Sequence, residues 1–249
     1  MSIQLSKIST LPGEDLKKKS TKKKTAKLQE RIGELARILA AGSKKSLLVV
    51  FQGMDASGKD GATRKVFSGV NPAICNVHSF KKPSDEEFAH DFLWRVHKVA
   101  PKAGTIQIFN RSHYEDVLIQ RVHNWIDMDQ VHRRFEHINA FEQLLQDRGT
   151  TILKFYLHIS KEAQLIRLNE RKTMPHKFWK HNANDFKERE HWDSYMDAYE
   201  DCFKFCGPDI PWYIVPSDEN FNKEHLVASK VVEALEAMNL SWPELRDEA

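Results

Sequence analysis

Short apolar runs alternate with amphipathic stretches along this chain. Residues 47–51 are five consecutive apolar residues, partly β-branched, which is typical of a strand buried on both faces. Similar runs predict further strands at residues 105–109, 152–159 and 212–215, with a weaker one at 77–80. Apolar residues at helical spacing predict helices over residues 22–41, 84–98, 129–148, 160–171, 185–206 and 222–239.

This alternation of strands and helices indicates the α/β class, with a five-stranded parallel sheet covered by helices on both faces. The sequence shows no internal repeat and no linker. We therefore expect a basic N-terminal extension over residues 1–27 and a single domain over residues 28–249.

Composition excludes a disordered chain and predicts no membrane partner. Of the 249 residues, 41% are hydrophobic and 29% are charged, as in ordinary folded proteins. No apolar run approaches the roughly 20 residues that a membrane helix needs. The three cysteines, Cys75, Cys202 and Cys206, are an odd number spread over a long chain. They predict packing roles and a reducing compartment, with the cytoplasm as the expected location.

Positive charge is concentrated near the N-terminus. The net charge is +3, yet residues 1–45 hold 12 Lys and Arg against 4 Asp and Glu, and the remainder holds 26 against 31. The lysine run at residues 17–24 fits either a solvated, mobile tail or a segment that binds a polyanion, and the pattern leaves both open.

Directly after the first strand, residues 53–61 read GMDASGKDG and fit the pattern G-x-x-x-x-G-K. In such a loop, backbone N–H groups turn inward around phosphates, the following helix offers its positive end, and Lys59 neutralises phosphate oxygens. The residues expected to bind phosphate or nucleotide are Gly53, Ala56, Ser57, Gly58, Lys59, Asp60 and Gly61. The alternative is a glycine-rich turn with a surface lysine.

Two carboxylates distinguish this loop from the usual pattern. Asp60 stands where Ser or Thr would bind magnesium, and Asp55 lies inside the loop. Because a carboxylate beside phosphates is repulsive unless a cation bridges them, Asp55 is the first candidate for a Mg²⁺ ligand or for orienting the attacking group. Asp60 is the second candidate, although the helix dipole favours a carboxylate at that position equally well.

A second polar cluster follows the strand predicted at residues 105–109. Ligands of parallel sheets bind beyond the carboxyl ends of strands, so this cluster and the loop should share one crevice. Asn110 is expected to coordinate or hydrogen-bond, and Arg111 to bind phosphate through two N–H groups. Glu115 or Asp116 would hold a metal or its bound water, with a helix N-terminal role as the alternative.

A third cluster, at residues 171–190, is basic, aromatic and interrupted by proline. It suits a lid that closes over phosphates, and the alternative is a solvated connection between two helices. Lys81 and Lys82 form a further small basic site after the weak strand.

Residues 53–61, 79–83, 90–95, 110–117 and 211–216 together resemble the second family of polyphosphate kinases. The similarity covers about residues 28–243. It implies a P-loop kinase fold related to thymidylate kinases, with a helical lid at residues 171–190. It also implies Mg²⁺-dependent transfer of a terminal phosphoryl group between inorganic polyphosphate and a nucleotide, with Mn²⁺ as an alternative ion. Members of the family usually form dimers or tetramers.

The resemblance also implies roles for individual residues. Asp55, Lys59 and Arg111 match the family's catalytic positions, and we expect Asp55 and Asp116 to hold the metal. The motif that begins at Asn110 resembles subfamilies that phosphorylate AMP, or both AMP and ADP, while GMP and GDP stay open as acceptors. A polyphosphate chain needs a track of cations. The side chains expected to provide it are Lys81, Lys82, Arg121, Arg171, Lys180, Lys187 and Arg189.

Two other functions fit parts of this pattern. An ATP-dependent nucleoside or nucleotide kinase would share the fold and differ in its phosphoryl donor. A non-catalytic polyanion-binding protein would use the lysine run and the basic lid. Asp55 argues against the second, because a carboxylate inside an anion-binding loop is unfavourable unless a metal is required. No nucleic-acid partner is expected.

Overall fold

Five parallel strands form the central sheet of the computed structural model, which describes residues 3–245. The strands are β1 (Ser46–Gln52), β2 (Cys75–Ser79), β3 (Ile106–Asn110), β4 (Thr150–His158) and β5 (Trp212–Pro216). Their order across the sheet is β2-β3-β1-β4-β5, and every neighbouring pair is parallel. The predicted α/β class with a five-stranded parallel sheet is confirmed.

Helices connect the strands and cover the sheet. They are α1 (Lys18–Gly42), α2 (Lys59–Val66), α3 (Asp85–Ala89), α4 (Trp94–His97), α5 (Glu115–Val122), α6 (Met128–Asp147), α7 (Lys161–Thr173), α8 (Asn184–Glu188), α9 (Trp192–Phe205) and α10 (Asn220–Ala237). Polar caps begin several of them. Asp127 and Ser160, for example, accept the backbone N–H groups that start α6 and α7, which satisfies donors that have no partner within the helix.

Strands β1, β3 and β4 bury both faces, as their continuous apolar runs predict, whereas the edge strand β2 is largely exposed. Leu48 and Val50 of β1 pack in the layer that contains α5, α6 and α9. Leu47, Val49 and Phe51 pack in the opposite layer, with α1, α2 and α10. Side chains alternate between the two faces because successive residues of a strand point in opposite directions. The sheet is therefore the middle layer of three.

The predicted helix over residues 84–98 is wrong, because the structure divides it into α3 and α4. Ser84 and Glu87 form a capping box at the start of α3. The break follows at Asp91, whose side chain accepts the N–H groups of Leu93 and Trp94. Aspartate competes in this way with the helical hydrogen bonds and starts a new helix.

The segment predicted as a lid is made of short pieces. A 3₁₀ turn over Pro175–Lys180, helix α8 and a second 3₁₀ turn over Arg189–His191 follow α7. The helix predicted over residues 185–206 is helical at both ends but not continuous, since the 3₁₀ turn at Arg189–His191 separates α8 from α9. Trp179 is 77% exposed. We call residues 174–191 the lid segment.

Helix α1 begins at Lys18, which is earlier than predicted. The lysines of residues 17–24 are exposed, whereas Thr21 and Thr25 on the same helix are buried. Leu5 is also buried and belongs to one of the two core layers. The boundary predicted after residue 27 lies within α1, so the described part of the predicted extension is packed on the domain.

The strand order determines where a ligand can bind. β1 lies between β3 and β4, and the connection after β1 leads to one side of the sheet while that after β3 leads to the other. In sheets of this kind the crevice opens at the carboxyl ends of such a strand pair. None of the helices within residues 3–245 has both the length and the apolar character needed to cross a membrane.

Candidate active site

The loop between β1 and α2 turns tightly at the edge of the sheet. Gly53 and Gly58 have φ values of 143° and 100°, which disfavour residues with a Cβ atom. Ala56 also lies in the left-handed region, at 63°. The Ser57 N–H donates to the Met54 carbonyl at 3.1 Å and closes the turn. We call residues 53–58 the phosphate loop, since it leads into the N-terminus of α2 as the sequence predicts.

Lys59 is the first residue of α2 and is only 8% exposed. Its Nζ atom donates to the Gly53 carbonyl at 2.6 Å and to the Met54 carbonyl at 3.2 Å. Burial, together with the charge of Arg111, lowers the pKa of Lys59 to about 8. A surface lysine would have no such contacts, so the geometry favours the phosphate-binding interpretation of this motif over a simple glycine-rich turn.

Asp55 and Arg111 meet at the crevice, one from the phosphate loop and the other from the segment after β3. Arg111 donates to the Asp55 carboxylate through Nη2 and lies 3.6 Å from the carboxylate of Glu115. Burial by itself would raise the pKa of Asp55, but Arg111 and Lys59 lower it overall. The carboxylate is therefore held in its charged form, as a metal ligand must be.

Arg111 has a φ value of 61°, which is uncommon for a residue other than glycine. Its backbone N–H donates to the Phe51 carbonyl of β1 at 3.0 Å. This bond ties the end of β3 to the end of β1, where the phosphate loop begins. The charges of Glu115 and Asp55 raise the pKa of Arg111 above its usual range, so this side chain is a permanent cation in the crevice.

Asp60 connects three parts of the site. Its Oδ1 atom accepts from Asn110 Nδ2 at 2.5 Å, and its Oδ2 atom accepts from Lys180 Nζ in the lid segment at 3.1 Å. Lys180 thereby reaches back to the start of α2, which places a basic residue of the lid segment beside the phosphate loop. The structure thus brings together the loop, the segment after β3 and the lid segment.

Asp185 of the lid segment also lies at the crevice, although the sequence analysis gives it no role. It is buried and accepts from Arg171 Nη1 at 2.6 Å. Burial and the nearby charge of Asp55 raise the pKa of Asp185. Arg171, expected on the polyphosphate track, is therefore paired with a carboxylate at the inner side of the lid segment.

The other cations of the expected track differ in their surroundings. Lys81, Lys82 and Lys187 are exposed. Arg121 donates to the Asp201 carboxylate at 2.8 Å, and Arg189 donates to the backbone carbonyl of Lys161 at 3.1 Å. The three lysines are available to an anion, whereas the two arginines already have acceptors.

Asp116, expected to hold the metal, instead pairs with other side chains of the protein. It is buried, its Oδ2 atom accepts from Arg95 Nη2 at 3.2 Å, and its Oδ1 atom accepts from Gln120 Nε2 at 2.6 Å. Burial raises the pKa of Asp116 even beside this arginine. Both oxygens accept hydrogen bonds from protein side chains, so Asp116 does not fit the metal-binding role expected of it.

Three polar residues support the phosphate loop from behind and were missed by sequence reasoning. Gln164 donates to the Asp55 carbonyl at 3.1 Å. Arg167 donates to the carbonyls of Ala56 and Ser57 at 3.0 and 3.2 Å, and Lys223 donates to the Ser57 carbonyl at 3.0 Å. The amphipathic pattern of α7 and α10 predicts helices but gives no signal for these contacts.

The site has the donors expected for a magnesium ion held jointly by protein and substrate. Mg²⁺ in kinases typically takes one or two carboxylates and completes its shell with phosphate oxygens and water. Asp55 supplies one ionised carboxylate beside the phosphate loop. Within residues 3–245 no group of three or more His, Cys, Asp and Glu side chains is arranged around a common metal position. A site completed by phosphate fits these residues.

Comparison with known proteins agrees with this geometry. A family model described as Polyphosphate kinase 2 (PPK2) matches residues 15–243. The chain is 46% identical over 220 residues to an AMP/ADP-polyphosphate phosphotransferase of Meiothermus ruber, a match that covers 88% of this chain and 82% of the relative. It is 44% identical over 228 residues to an ADP-polyphosphate phosphotransferase of Rhodopseudomonas palustris, with 86% and 79% covered.

A solved structure shows the same likeness across the fold. The crystal structure of polyphosphate kinase 2 from Arthrobacter aurescens TC1 matches with a TM-score of 0.95 and 38% identity, covering 99% of this chain and 90% of that one. The resemblance predicted from the motifs is confirmed, and so is the P-loop kinase fold. By sequence and by structure, this chain belongs to the polyphosphate kinase 2 family.

Proposed function

We propose that this protein transfers a phosphoryl group between inorganic polyphosphate and a nucleoside mono- or diphosphate, with AMP and ADP as the first acceptors to test. The observation that carries the proposal is the meeting of Asp55, Lys59 and Arg111 at one crevice beside the phosphate loop. The family membership and the names of the relatives support the same reaction.

The reaction needs positioning and charge neutralisation more than a strong base. A phosphate acceptor is already anionic, so one of its oxygens can attack the terminal phosphorus of the chain directly. The new P–O bond forms as the anhydride bond to the next phosphate breaks, and the shortened polyphosphate leaves. Lys59 and Arg111 stabilise the charge on the transferred group, because both are cations held at the crevice.

Asp55 is the residue that would hold a divalent ion, Mg²⁺ in the first place and Mn²⁺ as an alternative. When bound, such an ion supplies positive charge to the phosphate oxygens. In the protein without substrate, the Asp55 carboxylate accepts a hydrogen bond from Arg111. We infer that Arg111 turns from Asp55 toward phosphate oxygens once substrate is present, because a guanidinium binds phosphate through paired N–H groups.

The lid segment and the exposed lysines give the proposed path for a long chain. Lys180 is placed at the start of α2 by its bond to Asp60, and Lys187, Lys81 and Lys82 are exposed. A line of cations binds a polyanion with little demand on its length. The assembly into dimers or tetramers and the cytoplasmic location expected from the sequence stand as part of this proposal.

An assay of phosphoryl donors tests the proposal against an ATP-dependent kinase on the same fold. Purified protein is incubated with Mg²⁺ and either polyphosphate plus AMP, ADP, GMP or GDP, or ATP plus a nucleoside. We expect nucleotide phosphorylation with polyphosphate and none of a nucleoside with ATP. Phosphorylation of a nucleoside from ATP, without use of polyphosphate, would favour the alternative.

A further inference from the structure

A lysine is buried directly beneath the phosphate loop. Lys223 lies in the first turn of α10 and is 1% exposed. Its Nζ atom donates to the Ser57 carbonyl at 3.0 Å and to Asn220 Oδ1 at 2.9 Å. A Cβ atom added to Gly58 would lie 2.0 Å from this nitrogen. The loop therefore rests on the Lys223 ammonium group, which lies directly against Gly58.

This contact fixes the direction of a neighbouring N–H group. The Ser57 carbonyl and the Gly58 N–H belong to the same planar trans peptide, in which the two bonds point to opposite sides. Holding the carbonyl toward Lys223 therefore directs the Gly58 N–H away from it, to the outer side of the loop. Within residues 3–245 the Gly58 N–H donates to no protein acceptor, which leaves it free for a phosphate oxygen.

The positive charge of Lys223 is unfavourable in free energy because the side chain is buried. Burial and the neighbouring charge of Arg167 lower the pKa of Lys223 to about 7, against the opposing charge of Glu224. A buried ammonium group is strongly disfavoured unless its environment compensates, and an apolar side chain of similar length would avoid the cost. Stability alone does not account for a lysine here, whereas support of an anion-binding loop does.

We propose that Lys223 is a positioning residue, which holds the Ser57–Gly58 peptide so that its N–H binds the phosphate chain, and which adds positive charge under the loop. The proposal rests on the proposed function for the identity of that chain. Arg167 also donates to carbonyls of the phosphate loop, but it connects the loop to the Ser217 and Asp218 carbonyls as well. Lys223 is the more selective target, since within residues 3–245 its Nζ atom hydrogen-bonds to Ser57 and Asn220 alone.

The test compares four variants with the wild type. Lys223→Met removes the charge at similar length, Lys223→Arg keeps a cation, and Asn220→Ala removes the second contact of Nζ. Lys230→Met is the matched control, because Lys230 is on the same helix but pairs with Glu233 at the surface. Each protein is measured for KM and kcat with polyphosphate and AMP, for binding of inorganic tripolyphosphate by calorimetry, and for its thermal melting temperature.

We expect Lys223→Met to raise the KM for polyphosphate and the Kd for tripolyphosphate by about 10- to 100-fold, the range for losing one hydrogen bond to a charged group. Its KM for AMP should change less than about threefold and its melting temperature should not fall, because an unfavourable buried charge is removed. Lys223→Arg should recover most of the affinity, and Asn220→Ala should lose part of it. The control should behave as wild type.

Several results would overturn the inference. A folded Lys223→Met protein that binds tripolyphosphate as the wild type does would contradict it, as would Lys223→Arg being as defective as Lys223→Met. If Lys223→Met does not fold, unchanged tripolyphosphate binding by Asn220→Ala decides against it. A wild type that binds tripolyphosphate but phosphorylates no nucleotide would refute the proposed function instead, while the binding series still tests Lys223.

Discussion

Arg111 donates a hydrogen bond to the Asp55 carboxylate across the crevice between the ends of β3 and β1. The two side chains are 56 residues apart in the chain and are brought together because their strands are neighbours in the sheet. Each stabilises the charge of the other, as the lowered pKa of Asp55 and the raised pKa of Arg111 indicate. In the proposed reaction a phosphate chain with its cation would replace this pair, and until then the pair keeps both groups charged.

Asp55→Asn removes the negative charge and leaves the shape of the side chain almost unchanged. If Asp55 holds the cation, the Mg²⁺ concentration for half-maximal rate should rise by at least about tenfold. Substitution of a residue that only hydrogen-bonds to a metal ligand already lowers metal affinity by this factor. Activity should recover in part at high Mg²⁺. The measurement is a Mg²⁺ titration of initial rates at saturating substrates.

Asp60→Asn is the matched control for that titration, because Asn110 and Lys180 already hold the Asp60 carboxylate. Its Mg²⁺ dependence should stay near that of the wild type. If Asp60→Asn shifts the Mg²⁺ requirement and Asp55→Asn leaves it unchanged, the assignment of Asp55 is wrong.

The pKa of Lys59 predicts a loss of activity in mildly alkaline solution. Burial lowers this pKa to about 8 in the protein without substrate. As the pH rises through that value, Lys59 loses its proton and with it the charge that neutralises phosphate. Since kcat/KM reports groups of the free enzyme, kcat/KM for polyphosphate should fall above about pH 8.

Lys59→Arg provides the comparison for this pH profile, because a guanidinium does not titrate in the same range. We expect its kcat/KM, although lower, to stay level where that of the wild type falls. An alkaline limb with the same midpoint in both proteins would mean that another group is titrating.

Lys180 connects the lid segment to the start of α2 through Asp60, and two variants separate its possible roles. Asp60→Asn breaks the ion pair but leaves Lys180 free to bind phosphate, so kcat/KM should change less than about fivefold, the range of exposed ion pairs. Lys180→Ala removes a phosphate contact as well and should lower kcat/KM by about tenfold or more. If both variants lower kcat/KM equally and by a small factor, Lys180 forms only a surface ion pair and does not bind phosphate.

The exposed lysines of α1 test whether this helix attracts long chains. Deleting the segment would also remove the buried Leu5 and Thr21, so substitution is the cleaner experiment. The first variant changes Lys19, Lys22 and Lys23 to Gln, and the control changes the exposed Lys98, Lys102 and Lys204.

We expect the α1 variant to raise the KM for long polyphosphate by about threefold or more at low salt, and the difference should shrink as salt screens the wild type. The KM for tripolyphosphate, which cannot span helix and crevice together, should change little. Equal KM values for long chains in the variant and the wild type would remove α1 from the path.

The sequence predicts the sheet and the phosphate loop well because both depend on local patterns. Residues 47–51 are all apolar, and the motif GMDASGKDG begins two residues later, at residue 53. Contacts between distant residues have no such pattern. Nothing near Asp116 indicates that Arg95 would pair with it, and nothing in α10 indicates that Lys223 reaches the Ser57 carbonyl. Both are buried charges whose partners are set by the packing of elements that are distant in the chain.

In the proposed function, polyphosphate donates the phosphoryl group at this phosphate loop, and Lys59 is needed for the transfer. The most direct test follows nucleotide phosphorylation from polyphosphate and Mg²⁺ by the wild type and by Lys59→Ala, with Lys65→Ala, at the far end of α2, as control. We expect ADP or ATP formation from AMP by the wild type and by Lys65→Ala, and a rate about 100- to 1000-fold lower for folded Lys59→Ala. A Lys59→Ala protein that keeps more than about a tenth of the wild-type rate would show that the transfer does not take place at this loop.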